Sequence, residues 1–537
     1  MTATEASFNL VDEPWIPVRA VDGSSQAMSI RGVLGQSRKI TAVLGDVPTQ
    51  AFAIQRLLIA IIRRSVEWGD DPVGTWTRIW DTGALPAEQI DRYLAGVRAR
   101  FDLLDPAKPF YQVPSFESNK GDYKPISLLI SDVPSGEKYF TTRAGSGAAK
   151  LSLAETARWV VHCQAFDFSG IKTGDPRDPR TKSGKGYPIG VAWAGQLGGV
   201  LFEGQSLFET LMLNTVLKTS DASTVLAQDL PVWERPHYSV CERGDGTPSG
   251  PVDLLTWQSR RIHVKYEDRF AVGVLVGNGD PIQSHNRQAI EFMTRWRFSE
   301  VQSKKFGEPR YFPKTFSPDR AMWRGVEGLL ADTAPAPGKT KDLAPGTSDW
   351  LDLLLERGVL AGADVVRPHA FALEYITQSS VIGAAVDDHL QLRAALFGRT
   401  GSHRQYAADA VKAADRAVAA VVQLAGNLAE AAGGPADGPR STARGRGFFL
   451  LDQPFRRWVA DLGISEDMED YLDNWQEQVR SIVSNAGREL IEESGTAAFQ
   501  GRLVRDRWLD SAIASGFFWS ALRKALPNAF DSEREAS

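Results

Sequence analysis

The sequence predicts an α+β protein in two parts: a large mixed α/β domain over residues 1–380 and a C-terminal four-helix bundle over 381–537. Length is the first reason. At 537 residues the chain exceeds the roughly 250–300 at which single cores stop growing. Composition is the second: 43% hydrophobic and 24% charged residues describe an ordinary globular protein. The third is a change after about Val381, where one helical pattern follows another.

The elements follow in order. FNLVDEPWIPV (Phe8–Val18) reads as a short strand, a kink and a second strand, because Pro14 and Pro17 exclude a helix. Trp15 is then a core plug that ties the terminus down. Thr49–Trp68 is a largely apolar helix with a basic end, and Pro86–Leu104 starts on a proline and keeps apolar spacing near 3.6. Ser152 followed by Glu155 is a capping box that opens a further helix. Arg260–Val276 is two β-rich runs broken by a polar turn, and Ala334–Asp349 is a Pro/Gly-rich linker or surface loop. Beyond Val381, the runs DDHLQLRAALFG, HRQYAADAVKAADRAVAAVVQLAGNLAEAA, FFLLDQPFRRWVADL, EDMEDYLDNWQEQVRSIVSNAGRELIEE and FQGRLVRDRWLDSAIASGFFWSALRKAL all read as helical, with GGPADGPRSTARGRG as a loop. About four long helices with modest connections make an antiparallel bundle.

Several classes of function are excluded. No run approaches the roughly 18 apolar residues of a membrane span, and MTATEASFNLVDEPW lacks the basic and apolar regions of a signal peptide. Cys163 and Cys241 are too few for a four-cysteine zinc site or a disulfide framework, so a reducing cytoplasm is expected. Phosphate-cradle, metalloprotease and nucleophile-elbow motifs are absent, and the seven histidines are scattered. Asp387, Asp388 and His389 stand together, but at what reads as a helix start, where acidic residues favour the dipole. His162 and Cys163 are neighbours on a helix and point to different faces. The expectation is a protein without catalytic residues, metal or cofactor.

What remains is loops and basic patches. The net charge of −5 does not exclude nucleic-acid contact, which depends on local patches. Thr294–Lys314 carries six basic residues against two acidic ones, with aromatics interleaved; Lys172–Gly186 and Gly438–Gly447 are basic and glycine-rich. SGEKYFTTRAGSGAAKLS (Ser135–Ser152) joins aromatics to hydroxyls, Arg143 and small residues, and FDFSGIKTGDP (Phe166–Pro176) has a similar make-up. Such loops let backbone amides approach phosphate beside a cation and a ring. The same composition also suits a mobile surface loop.

Together these pieces resemble the large-subunit (CasA) family of the type I-E CRISPR surveillance complex Cascade. LVDEPWIPV is similar to that family's N-terminal signature; KPFYQV (Lys108–Val113), GQLGGVLFEGQSLFETLMLN (Gly195–Asn214) and LTWQSRRIHV (Leu255–Val264) match further blocks in the same order. The resemblance covers essentially the whole chain and implies a non-catalytic DNA-reading subunit. Its partners are the other Cascade subunits, CRISPR guide RNA, double-stranded target DNA bearing a short PAM, and a helicase-nuclease effector. Phe140, Thr142 and Arg143 fall where the family has its first loop, with Phe140 the stacking residue. Ser169, Gly170, Lys172, Thr173 and Gly174 correspond to the family's glycine loop, which meets the PAM in the minor groove. EYITQSSVI (Glu374–Ile382) resembles the family's wedge hairpin, with Gln378 inserting beneath the PAM pair and Thr377 and Ser379 beside it. Arg295, Arg297, Lys304 and Lys305 lie where the family carries DNA-holding cations. Relatives with a zinc-binding cysteine cluster have it where this chain keeps only Cys241, so no zinc is expected. The other readings are a metal-free scaffold subunit without DNA readout and, third, a hydrolase using Asp387 and His389.

Overall fold

The computed structural model describes residues 7–133, 146–219, 223–236, 239–244, 246–332, 342–399, 401–463 and 468–530. They fall into two compact units. The first is Met1–Arg320 with Ala331–Leu353 and Arg367–His389; the second is Ala321–Leu330 with Leu354–Val366 and Leu390–Ser537.

The first unit is mixed α and β, and its N-terminus is fastened as the prolines and Trp15 suggest. Ile16–Ala20 is the central strand of a three-stranded antiparallel sheet, flanked by Ser25–Met28 and Ile40–Val43. Trp15 is fully buried and its indole N–H donates to the Leu10 carbonyl at 3.0 Å. The expected first strand is reduced to one bridge, Asn9 with Asp102, because residues 10–13 turn at once.

The helix Pro48–Ser65 is buried on nearly every side, which explains why its sequence shows almost no polar stripe. Its interior Arg56 is neutralised by Glu291, with guanidinium-to-carboxylate distances of 2.9 and 2.8 Å, and the Trp193 indole donates to the same carboxylate at 2.7 Å. The helix Leu153–Phe166 packs against it, and its capping box forms as read: Ser152 and Glu155 each satisfy the other's backbone N–H. His162 is enclosed between the two helices, 2.9 Å from the Thr49 hydroxyl, and burial pushes its pKa down to about 3. His162 is therefore a neutral core residue.

Two hairpins complete the frame. Arg260–Glu267 pairs with Phe270–Asn278, and the edge strand Lys124–Pro125 adds to the latter. The longer hairpin, Val365–Ile376 with Val381–His389, pairs on its other side with Gly199–Glu203. Position 380 falls in the turn of that hairpin, so its return strand belongs to the first unit. Asp387, Asp388 and His389 thus lie in a strand opposite Phe371, Ala370 and His369, not at the start of a helix. A short polar run with few apolar residues fits both periods, and the pairing strand decides it.

The second unit is the helical bundle. Its long helices are His403–Ala432, Asp437–Asp461, Met468–Glu493 and Ser511–Ala525. The Ala-rich helix turns Ala410, Ala414, Ala417 and Val421 inward, and the other three pack around it. Two details correct the sequence reading. GPRSTARGRG is helical, with Pro439 in the first turn, where its missing N–H costs nothing. Gly447 within it lets Val418 approach so closely that a Cβ would stand 2.9 Å from a methyl group. The start of the last pattern is a small hairpin, Arg502–Val504 with Arg507–Leu509, turning at Arg505 and Asp506 with positive φ.

Candidate nucleic-acid interface

The helix Leu153–Phe166 ends at Phe166, and the chain leaves it at Asp167 with extended geometry. The Asp167 carboxylate is buried and receives two cations. Arg260 donates to it through Nε, and Lys172 Nζ lies 2.7 Å away. Burial alone raises the carboxyl pKa, but the charges of Lys172 and Arg260 outweigh it and hold the group below the usual carboxylate range. Arg260 also clamps the loop backbone, donating to the carbonyls of Asp167 (3.1 Å), Phe168 (3.0 Å) and Gly190 (2.9 Å). Lys172 sits with its ammonium 3.9 Å above the Phe168 ring.

The loop expected to face DNA is therefore built on a buried ionic node. Its lysine points inward, 9% exposed; its outward-facing side chain is Ile171, 59% exposed, next to a partly exposed Gly170. Thr173 pairs with Lys185, and Gly174 is a packing position: a Cβ there would strike the Thr181 side chain at 2.6 Å.

The same loop meets the tip of the long hairpin. Ser169 N–H donates to the Ser379 carbonyl at 2.8 Å, and the Tyr375 hydroxyl donates to the Phe166 carbonyl at 2.6 Å. At the tip Thr377, Gln378 and Ser379 have φ of 49°, 57° and 63°. Three successive left-handed residues without a glycine are strained, at about 1–2 kcal/mol each. The Ser380 hydroxyl donates to the Thr377 carbonyl at 2.6 Å and closes the turn. Thr377 and Gln378 project into solvent, while Ser379 is half-buried. Ser169, Gly170, Lys172, Thr173, Thr377, Gln378 and Ser379 thus come from two distant stretches into one neighbourhood.

The basic segment is less uniform. Arg295–Phe298 pairs with Tyr311–Lys314, and the helix Glu300–Phe306 lies between them in sequence. Arg295 is buried, its guanidinium 4.0 Å over Phe316, so it braces the hairpin instead of reaching outward. Arg297 is exposed above Phe312 at 5.3 Å. Lys304 is exposed but pairs with Glu300 at 2.6 Å, and Lys305 is exposed beside Phe306. Phe140, Thr142 and Arg143 lie outside the described residues.

Sequence reasoning missed Asp167, Arg260 and Tyr375 as parts of this neighbourhood. Arg260 stood in the quoted LTWQSRRIHV block, but its carboxylate partner is far away in sequence. Among the described residues no three His, Cys, Asp or Glu side chains are grouped to hold a metal ion, and no helix is long and apolar enough to cross a membrane. Cys241 is half-buried, with Sγ 3.5 Å from the Arg177 carbonyl.

Behind the tip, His369 is clamped between two carboxylates: Nδ1 is 2.8 Å from Glu203 and Nε2 2.5 Å from Asp387. Burial opposes its charge, but the hydrogen bonds it donates to Asp387 and Glu203 prevail and raise the pKa to about 9 from 6.5. A raised folded pKa adds stability that is complete below pH 6.5 and lost as pH climbs through 9. Because Asp387 is half-exposed, the contribution is about 1–3 kcal/mol. Denaturant melts across this window should show the decline in the wild type and a flatter profile in His369→Gln. The same slope in both proteins would remove His369 as its source.

A mixed α/β unit that carries a long hairpin, and a second unit that is a helical bundle, are the parts of a class of CRISPR-associated proteins. The family described as CRISPR-associated protein Cse1 matches residues 9–486. The chain belongs to this Cse1 (CasA) family. It superposes on Thermobifida fusca Cse1 with a TM-score of 0.91 and 40% identity, covering 98% of this chain and 100% of that one. Cse1 from Acidimicrobium ferrooxidans gives 0.79 and 26%, over 98% and 99% of the two chains. The CRISPR-associated protein CasA/Cse1 of Thermus thermophilus is 26% identical over 332 residues; the match spans 60% of each chain.

Proposed function

We propose that this chain is the non-catalytic large subunit of an RNA-guided antiviral complex, which recognises the PAM in double-stranded DNA and starts strand separation there. Its partners on this reading are the other Cascade subunits, the guide RNA, the target duplex and a helicase-nuclease effector for which it offers a docking surface. Protein reads the PAM while guide pairing reads the target, as in other RNA-guided effectors.

One observation carries the reading: the bond from Ser169 N–H to the Ser379 carbonyl. It ties a loop suited to backbone contact with a groove to a rigid tip suited to entering a base step. With Lys172 turned onto Asp167, the loop offers Ile171 beside Gly170 instead of a free cation, and minor-groove readout without a directing charge is permissive. Membership of the Cse1 family supports the same assignment.

The test uses the assembled complex and pairs of duplexes that share a protospacer but differ in the PAM. Retention of the PAM-bearing duplex, weakening steeply with salt, is the expected result. Equal retention of both duplexes favours the scaffold reading and ends this one.

A further inference from the structure

With Lys172 spent on Asp167, the glycine loop brings no free cation of its own, yet a cleft of about 590 Å³ opens beside it. Phe168, Ile171 and Lys172 form one wall. Three other lysines line it: Lys120, Lys124 and Lys185. All three are exposed, and none is paired with a carboxylate among the described residues. Asp122 is the one carboxylate among the lining residues.

Lys120 and Lys124 come from one segment and Lys185 from another, but the two segments are locked together. Lys185 pairs in register with Thr173 of the glycine loop, and Lys124 pairs with Val274 of the larger hairpin. Asn119 presses against Gly184, where a Cβ would meet its amide nitrogen at 2.8 Å, and Gly184 has φ of 73°. The Glu117 N–H donates to Asp175 at 2.9 Å and fixes the same junction from the other side. The cleft is therefore preformed, and it holds three unpaired lysines near one another with Asp122 as the single lining carboxylate. Like charges kept together in this way destabilise the free protein slightly and favour a polyanion.

We infer that Lys120, Lys124 and Lys185 form a phosphate-binding track for the backbone of the duplex whose PAM the glycine loop meets. The inference rests on the proposed function and extends it to Lys120 and Lys124, which no motif or family block singles out, and to Lys185 of the basic Lys172–Gly186 stretch. The apolar wall at Phe168 and Ile171 accommodates sugar edges, while the lysines neutralise phosphates at no sequence-specific position. Their contribution is thus to affinity and to register on the duplex, not to PAM choice.

The experiment compares wild-type complex with complexes carrying Lys120→Ala/Lys124→Ala/Lys185→Ala or the corresponding triple Arg variant. Binding of PAM-bearing and PAM-less duplexes is measured from low to high salt. The Ala variant should flatten the log–log salt dependence by about 2.7, at about 0.9 per phosphate lost. The ratio of PAM-bearing to PAM-less affinity should stay the same, and the Arg variant should keep the wild-type slope. A wild-type slope in the Ala variant, with PAM-dependent binding intact, overturns the track and leaves the proposed function standing. Loss of guide RNA incorporation with normal DNA binding also overturns it, because the lysines then serve RNA. If the wild-type complex itself fails to distinguish the duplexes, the proposed function falls and the track falls with it.

Discussion

Asp167→Ala is expected to cost the first unit about 3–5 kcal/mol. The substitution leaves Arg260, whose side chain is fully buried, and Lys172, which is nearly so, without their shared counter-ion. Breaking such a node is worse than never having built it, since two charges remain out of water with nothing to balance them. The denaturation midpoint of the purified chain measures the loss. Asp167→Asn keeps the acceptor oxygen but not the charge and should fall between wild type and Ala. Acid should act in the same direction. Because the folded pKa of Asp167 is depressed, its contribution is complete above the ordinary carboxylate range and fades as pH falls through the folded value. An unchanged midpoint for Asp167→Ala would show that the loop is held by its backbone bonds alone.

Gln378→Ala is expected to leave the melting temperature unchanged and to slow R-loop formation on relaxed DNA by roughly 10–100-fold. Its side chain is exposed, so no packing is lost. The kinetic effect follows from the proposed wedge, which offsets a few kcal/mol of unstacking at the first melted step; each 1.4 kcal/mol is about tenfold in rate. Negative supercoiling already assists melting, so the variant should suffer less on a supercoiled template. Gln378→Gly separates side chain from turn shape. Glycine suits the left-handed backbone better, so this variant should be as slow as Ala while gaining about 1 kcal/mol in stability. Equal slowing on relaxed and supercoiled templates, or a clear drop in melting temperature, rules the wedge out.

Most of the fold was legible because local chemistry and global packing agree. Ser152 with Glu155, the prolines around Trp15, and the alternation of Arg260–Val276 each dictate their element unaided. The bundle's main helix declares itself through its alanines. Some failures were local, as where residues 10–13 turn at once; the larger ones occurred where the deciding partner is distant in sequence. Asp387–His389 looks like a helix start until His369–Phe371 pairs with it. Gly438–Gly447 looks like a loop until a second helix needs the lack of bulk at Gly447, where Val418 packs. The candidate site divides in the same way. The two stretches containing Ser169 and Gln378 could be found from composition and family likeness, but their hydrogen bond could not. Lys172 and Arg295 read as free cations because sequence reports charge, not direction. Asp167 and Phe316, which turn them inward, stand out only once the chain is folded.

The tip of the long hairpin has an evolutionary corollary. At Thr377, Gln378 and Ser379 the backbone favours glycine or asparagine, and a β-branched threonine is among the poorest choices. Stability by itself therefore pushes mutation at these positions towards Gly and Asn. A lineage that no longer used the tip should drift that way within a few substitutions, since each step makes the protein more robust. Side chains that persist there against that gradient are maintained by what they touch outside the chain.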